Sequence, residues 1–512
     1  MKKAITLAAV LTFLMTAVSC GQANNTEYSG ESFQYISDPE KVVTRPAAEM
    51  KQQAEIYSQD PDDQPKICQG TLFDSKGVPI SYTKLSADSP PVKVLNDEYA
   101  ECFSNVISEF SEGIESAPAY RKILYSPNPT KVADDVQVGK SVRMTYDANI
   151  QSEVFSYMRD MNIIGSLVVK RTDGSIAAEI STPGYNANEY KNALDNDTEY
   201  IAPEGSLRNK CQDQRAPGST FKMLSATTAL ASGVIGDTGE AGVFNDEGCW
   251  YTSSGFPIKD WFFSDTFSPG FGPTTRDIHN AFIISSNVVF AKVFVTLGLK
   301  TTEDYLYKLF LFGEPIELDH VTLNNNKLGV TDNNEAELAL SAFGQGKCTV
   351  SPLYIAAVTR EVVFGEMVRP FTMDCVVDTA APDTILEDGS TSGEVIASTG
   401  GITLKDDMQT IANDMGLSLE GYNYYVKTGT AEVDGYFDTL YVTAFLEAEG
   451  KEIKPSYDSY TDYGETNGSY IITLQVRNAP EINYAFPDPN SIYASHLAPI
   501  FNHICYTITA ND

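Results

Sequence analysis

Positive charge is what this chain has least of: 36 lysines and arginines stand against 69 aspartates and glutamates, a formal net charge of −33. A nucleic-acid binder draws most of its affinity from Lys and Arg neutralising phosphates, so nucleic acid is excluded as a partner. Histidine is scarcer still, with 4 in 512 residues. None of His279, His320, His496 and His503 has a nucleophile pattern beside it, and no Gly-x-Ser-x-Gly occurs, which argues against a Ser-His-Asp hydrolase. The 8 cysteines form no Cys-x-x-Cys pair and no His/Cys ligand spacing, so no structural metal and no cofactor are expected. Internal repeats and low-complexity tracts are also missing. Apolar residues are not: at 42% they suffice for substantial cores, and the length allows about two to four domains of roughly 150 residues.

The start of the chain points to a compartment. Met1-Lys2-Lys3 is a short basic opening, an apolar run follows over 4–18, and then comes Ser19-Cys20-Gly21, the layout of a secretory signal. The run is shorter than the ~20 residues of a membrane-crossing helix. Ala17-Val18-Ser19-Cys20 resembles a bacterial lipoprotein box, which implies that Cys20 carries lipid after cleavage; an uncleaved anchor and plain secretion are the alternatives. Each of the three puts the bulk of the chain outside the cytoplasm. Most of the seven remaining cysteines read as small buried hydrophobes; the compartment permits disulfides, but an odd number leaves one thiol over and the pairing cannot be read from the sequence.

Along the chain, residues 1–20 are expected as the signal, 21–66 as a polar linker, 67–140 as a small non-catalytic α+β domain and 141–512 as the main unit. In the small domain, strand composition at 67–73 ends in the turn Asp74-Ser75-Lys76-Gly77, and apolar spacing at Phe103, Ile107, Phe110 and Ile114 predicts a helix over 94–114. The main unit opens with a helix at 147–161 and a strand pair at 164–170 and 176–181. It turns helical in its middle, returns to strands at 424–430, 440–447 and 469–476, and closes with a helix over 491–506. Strands from both ends with helices between predict an α+β fold with one mostly antiparallel sheet.

Chemistry concentrates in three places. In Arg215-Ala216-Pro217-Gly218-Ser219-Thr220-Phe221-Lys222 the Pro-Gly turn leads into a helix expected to open at Ser219. Lys222 then lies one turn on, where its amine reaches the Ser219 hydroxyl, and a serine needs such a base to become a nucleophile. Ser285-Ser286-Asn287 falls between two helical stretches and aims a hydroxyl and a carboxamide into a cleft. Lys427-Thr428-Gly429-Thr430 ends a strand, with a cation and hydroxyls for a substrate carboxylate and Gly429 allowing a substrate backbone to lie close. Ser81-Tyr82-Thr83-Lys84 and Ser126-Pro127-Asn128 repeat the first two patterns by chance, so neither pattern alone is specific. Trp250 and Trp261, flanking a Tyr/Phe-rich stretch, read as core packing ahead of a groove wall.

Ser-x-x-Lys, Ser-x-Asn and Lys-Thr-Gly in this order are similar to the signature of penicillin-binding proteins and serine β-lactamases. Over roughly 67–508 the sequence resembles a penicillin-binding transpeptidase of the monofunctional, class B type; Phe343-Gly344-Gln345-Gly346, Ala281 to Phe290 and Gly70-Thr71-Leu72-Phe73-Asp74 carry the resemblance further. Too few residues precede the main unit for a glycosyltransferase domain. Val426, Leu440-Tyr441-Val442 and Gln69 depart from the family's usual residues.

The resemblance implies a penicillin-binding/serine β-lactamase-like transpeptidase fold, with helices on both sides of the sheet, and a peptidoglycan D,D-transpeptidase working through a Ser219 acyl-enzyme. Lys222 is implied as general base, Ser285 as proton relay and Lys427 as cation. Asn287, Thr428, Gly429 and Thr430 are implied in substrate binding, the last with Ser219 as oxyanion-hole donors. Implied partners are stem peptides ending in D-Ala-D-Ala, β-lactam antibiotics as inhibitors, the membrane through the N-terminal anchor, and cell-wall synthesis proteins. A hydrolase, either D,D-carboxypeptidase or β-lactamase, and a non-catalytic sensor or scaffold remain open.

Overall fold

The computed structural model describes residues 42–45, 67–86, 89–107, 113–132, 137–263, 273–324, 326–331, 334–389, 391–432, 438–451, 453, 468–477 and 494–511. The signal over 1–20 with Cys20, and all of the 21–66 linker except 42–45, lie outside these residues.

A five-stranded sheet forms the centre, in the order Tyr422–Ala431, Thr439–Ala448, Tyr470–Val476, Gly165–Arg171, Ile176–Thr182, antiparallel throughout. Its strands come from both ends of the main unit, as the sequence predicts. Gly165–Arg171, Ile176–Thr182 and Tyr470–Val476 are buried at every residue, which requires cover on both faces, and Lys170, Glu179 and Gln475 are buried with them. Helix Pro352–Phe364 packs on the three middle strands and is tied to them by a chain of hydroxyls, Thr359 to Thr443 to Thr473, each link 2.7 Å. Helix Ala148–Asp160, capped by the Asp147 carboxylate, packs on Ile176–Thr182, and the C-terminal helix Ala498–Ala510 packs on it in turn. The strand Tyr422–Ala431 ends the sheet, which leaves one of its edges free for the residues that build the site.

A second sheet has six strands: Ala381–Asp388, Met373–Asp378, Ser141–Met144, Leu72–Phe73, Pro79–Ser86 and Ser89–Leu95. It runs across the division expected at residue 140, and a continuous apolar core extends from Leu72 to Ile508. Within the segment expected as a polar linker, Val42–Arg45 is a strand paired with Tyr200–Pro203.

The described residues do not form the helix predicted over 94–114, and Phe110, with the rest of 108–112, lies outside them. Val94 and Leu95 end a strand, Asn96 starts a turn by accepting the Glu98 N–H on its side chain, and the only α-helix among the described residues of this stretch is Ser104–Ile107. Phe103, Ile107 and Ile114 are nonetheless buried, so the apolar spacing marked the core correctly and the local geometry wrongly. Gln69, where the family usually has Arg, donates to Glu115 Oε1 at 2.8 Å, and the ammonium of Lys93 pairs with the same carboxylate. The positive charge thus arrives from another strand.

One buried ionic cluster links the sheets. His320 has Nε2 3.1 Å from Glu179 Oε1 and Nδ1 3.0 Å from Asp319 Oδ1, so both ring nitrogens face carboxylates and both donate. Burial opposes the charge, but the two carboxylates outweigh it and push the His320 pKa up to about 9. An unfolded histidine titrates near 6.5, so this stabilisation is complete below about pH 6.5 and is lost as pH rises through about 9. His320→Gln is expected to lower unfolding stability at pH 6 by about 3 to 5 kcal/mol and to flatten the decline between pH 6.5 and 9. Urea titrations across that range measure it; equal pH slopes for the two proteins would contradict the assignment.

Candidate active site

Ser219 lies on a 3₁₀ turn, Gly218–Phe221, and the α-helix begins at Lys222 and runs to Ser232, ending on left-handed Gly233. The helix therefore opens three residues later than the sequence suggests. The Thr220 hydroxyl bonds back to the Pro217 carbonyl at 2.8 Å, and the Lys222 N–H bonds to the Ser219 carbonyl, so the first turn is wound tighter than an α-helix. Ser219 and Lys222 still share a face.

Close backbone contact holds this turn in place. Gly218 has φ +55°, and a Cβ there would meet the Thr430 carbonyl oxygen at 2.5 Å; its N–H donates to the Gly344 carbonyl at 2.9 Å. A Cβ on Gly429 would lie 2.7 Å from the Pro217 oxygen and 2.8 Å from the Thr220 nitrogen. Gly429 is thus required by the nucleophile turn packed against the strand, a different reason from the substrate approach that the sequence suggests.

Lys222 is fully buried, and its Nζ has four oxygen neighbours: Ser219 Oγ at 3.0 Å, the Ser285 carbonyl at 2.7 Å, Ser285 Oγ at 3.1 Å and Asn287 Oδ1 at 2.7 Å. Burial, then the charge of nearby Lys427, holds its amine well below the usual lysine range, while Asp260 and Asp246 pull the other way. Ser285 sits at φ +60° between helices Ile278–Ile283 and Asn287–Leu297, and its hydroxyl is also 3.2 Å from Lys427 Nζ. The Asn287 Nδ2 donates to the Lys259 carbonyl at 2.8 Å, so both ends of this carboxamide are engaged within the protein. Lys427 donates to the Thr428 carbonyl at 3.0 Å, and burial lowers its pKa to about 7. The Thr430 hydroxyl accepts the Ala494 N–H at 3.3 Å.

Ser219, Ser285, Asn287 and the 427–430 strand end line one cleft of about 450 Å³; the Lys222 amine lies behind it, in contact with Ser219 and Ser285. Trp261, 60% exposed, forms part of the cleft's apolar wall with Ile283, Ile284 and Met415, whereas Trp250 is half-buried against the core. The core reading therefore holds for Trp250 and not for Trp261. Asp414, Glu432 and Asp438 also face the cleft, so the acidity of the chain extends to its site. The decoys are dispersed: Ser81 bonds Glu115 from within the strand Pro79–Ser86, and Asn128 bonds Asp378.

Sequence reasoning missed Asp260, a buried carboxylate that accepts the backbone N–H groups of Asn287 and Val288. Its only sequence signal is an acidic residue inside an aromatic stretch. All seven cysteines among the described residues are free thiols, five of them buried. No described helix is long and apolar enough to cross a membrane.

Ser219 with Lys222, Ser285 with Asn287, and the 427–430 strand end thus meet at one cleft, the arrangement of the penicillin-binding class. The family model of the penicillin binding protein transpeptidase domain matches residues 164–453, and the chain belongs to that family. Penicillin-binding protein 3 of Bacillus subtilis is 24% identical over 330 residues, covering 60% of this chain and 46% of its own. The peptidoglycan D,D-transpeptidase MrdA of Haemophilus influenzae is 26% identical over 364 residues, covering 67% of this chain and 54% of its own. The chain thus spans about half the length of these curated relatives. Among solved structures, PBPA from Mycobacterium tuberculosis superposes with a TM-score of 0.64 at 18% identity, over 87% of this chain and 99% of that one. PBP2 of Pseudomonas aeruginosa does so with 0.61 at 16% identity, over 91% and 96%. Both share the fold.

Gly429→Ala is expected to push the nucleophile turn off the strand and slow acylation of Ser219 by about 10- to 100-fold, since small misplacements at a reacting centre carry costs of that size. The rate of labelling by a fluorescent penicillin measures it, and an unchanged rate would contradict the packing role.

Proposed function

We propose that the chain is a peptidoglycan D,D-transpeptidase that cross-links stem peptides through an acyl-enzyme on Ser219. The observation that carries this reading is the set of four contacts at Lys222. An uncharged amine has two hydrogens and one lone pair. The Ser285 carbonyl and Asn287 Oδ1 can only accept, so they take the two hydrogens, and the lone pair is left for a hydroxyl proton. Ser219 Oγ, 3.0 Å away, supplies that proton as it attacks the carbonyl of the penultimate D-alanine. Lys222 returns the proton through the Ser285 hydroxyl to the departing D-alanine amine. The N–H groups of Ser219 and Thr430 receive the developing oxyanion, and losing one such donor costs about 3 to 4 kcal/mol of transition-state stabilisation. An amine on a neighbouring stem peptide then takes the acyl group.

In this reading the substrate lies along the free edge of Tyr422–Ala431, and Lys427 with Thr428 binds its terminal carboxylate. Lys427 is half-neutral near pH 7 in the free protein, and a bound carboxylate favours its charged form. Asn287 positions Lys222 in the free protein. β-Lactams would acylate the same serine, as the penicillin G acyl-enzyme complex of the M. tuberculosis protein supports by analogy of fold. The signal-like start supports an extracytoplasmic catalytic unit held at the membrane through Cys20 or an uncleaved helix, beside other proteins of cell-wall synthesis.

A fluorescent penicillin is expected to label the wild-type chain stably and Ser219→Ala not at all, whereas rapid turnover of the drug would point to a β-lactamase. Absence of wild-type labelling would overturn the reading. Cross-linking of lipid-linked peptidoglycan then separates transfer to an amine from transfer to water. The kcat/KM of the peptide reaction is expected to fall as pH rises through about 7, where free Lys427 loses its charge, and Lys427→Arg is expected to remove that limb. A limb that persists in the Arg variant would assign it to another group.

A further inference from the structure

The Ser285 corner cannot hold itself. A non-glycine residue at φ +60° costs about 1 to 3 kcal/mol and persists only where its surroundings fix it. Three consecutive residues outside the signature patterns do so. The Lys259 carbonyl accepts Asn287 Nδ2 at 2.8 Å, which turns Asn287 Oδ1 toward Lys222. The Asp260 Oδ1 accepts the N–H groups of Asn287 and, at 3.1 Å, Val288, while the Ser286 hydroxyl lies 3.4 Å from Oδ2. Trp261 Nε1 donates to the Ile284 carbonyl at 2.9 Å. The grip therefore spans Ile284 to Val288, with Ser285 inside it.

Asp260 is the centre of this grip and is itself fixed. It is 3% exposed, its N–H donates to the Gly248 carbonyl at 2.9 Å and its carbonyl accepts the Phe263 N–H at 3.0 Å. Asp246, the neighbouring carboxylate, is held by Arg276 at 2.7 Å and by the Gly248 N–H at 3.0 Å. We propose that Asp260 is a positioning residue for acyl transfer: through the N–H groups of Asn287 and Val288 it holds the Ser285 hydroxyl and the Asn287 carboxamide against the Lys222 amine. It touches neither substrate nor reacting atoms. Burial and the Asp246 charge raise its own pKa to about 7, so the protonated form is within reach, and an asparagine would copy that form.

The inference rests on the acyl-enzyme reading and is tested on the full chain by the rate of Ser219 labelling with a fluorescent penicillin. Asp260→Ala is expected to slow labelling by about 10- to 100-fold at an unchanged site, as judged by loss of all label when Ser219→Ala is added. Asp260→Asn keeps an oxygen for both N–H groups and is expected to label within about threefold of wild type. In a background that lacks both positioned groups, Ser285→Ala with Asn287→Ala, the further loss on Asp260→Ala is expected to be under about threefold, because nothing is left for Asp260 to position. Asp260→Ser, too short to reach both N–H groups, replaces the Ala variant in each comparison if that variant does not fold. Wild-type rates in the truncated variant, failure of Asn to restore the rate, or a full loss persisting without both Ser285 and Asn287 side chains would each overturn the positioning role. A wild-type chain that is not labelled at all would take down the acyl-enzyme reading with it, whereas a labelled wild type with an unaffected Asp260→Ala variant would take down this inference alone.

Discussion

An amine that must be uncharged governs the architecture of this site. In the proposed acyl transfer Lys222 works as a base only without its proton, and a chain with a net charge of −33 would by its overall field favour the protonated form. Local structure reverses that tendency. The amine is buried, a second amine lies behind the Ser285 hydroxyl, and the two nearest oxygens that can only accept belong to an amide and a peptide group rather than to carboxylates. The acidic groups that act on it, Asp260 and Asp246, are turned toward backbone N–H groups and an arginine. Such an arrangement is unfavourable for stability at neutral pH, because the unfolded chain would protonate both lysines and the folded one resists doing so.

The second constraint is backbone proximity. The nucleophile turn, the strand end at 427–430 and the loop at Gly344 meet through glycines at 218, 344 and 429, where no Cβ fits. Ser219 and the 427–430 strand end are thus joined by main-chain contacts. The edge position of Tyr422–Ala431 completes the scheme: one side of the strand pairs with Thr439–Ala448, and the other is left for the turn and the cleft.

Much of this was legible in the sequence because it depends on local signals. Ser219 and Lys222 stand three apart at the start of a helix, Lys427 to Thr430 end a strand of clear composition, and the five central strands were marked by their strand composition. What escaped depends on distant partners. The 94–114 stretch has helical spacing, yet Asn96 and the strand pairing of Val94 override it. Gly429 looked like an opening for substrate because only the folded chain brings Pro217 and Thr220 against it. Trp261 looked like core because exposure at a cleft wall has no periodicity. Asp260 lies 27 residues before Asn287, and nothing in the intervening residues announces that its carboxylate caps the second helix.

The protonation state of Lys222 in the free protein can be observed directly. In protein labelled with ¹³C at the lysine ε carbon, with the Lys222 signal assigned by its disappearance in Lys222→Arg, a pH titration follows that one amine. The account predicts a Lys222 signal already in the neutral position at pH 7, with its midpoint well below the ~10.4 of a free lysine. A signal that stays in the cationic position through pH 7 and titrates near 10 would contradict it.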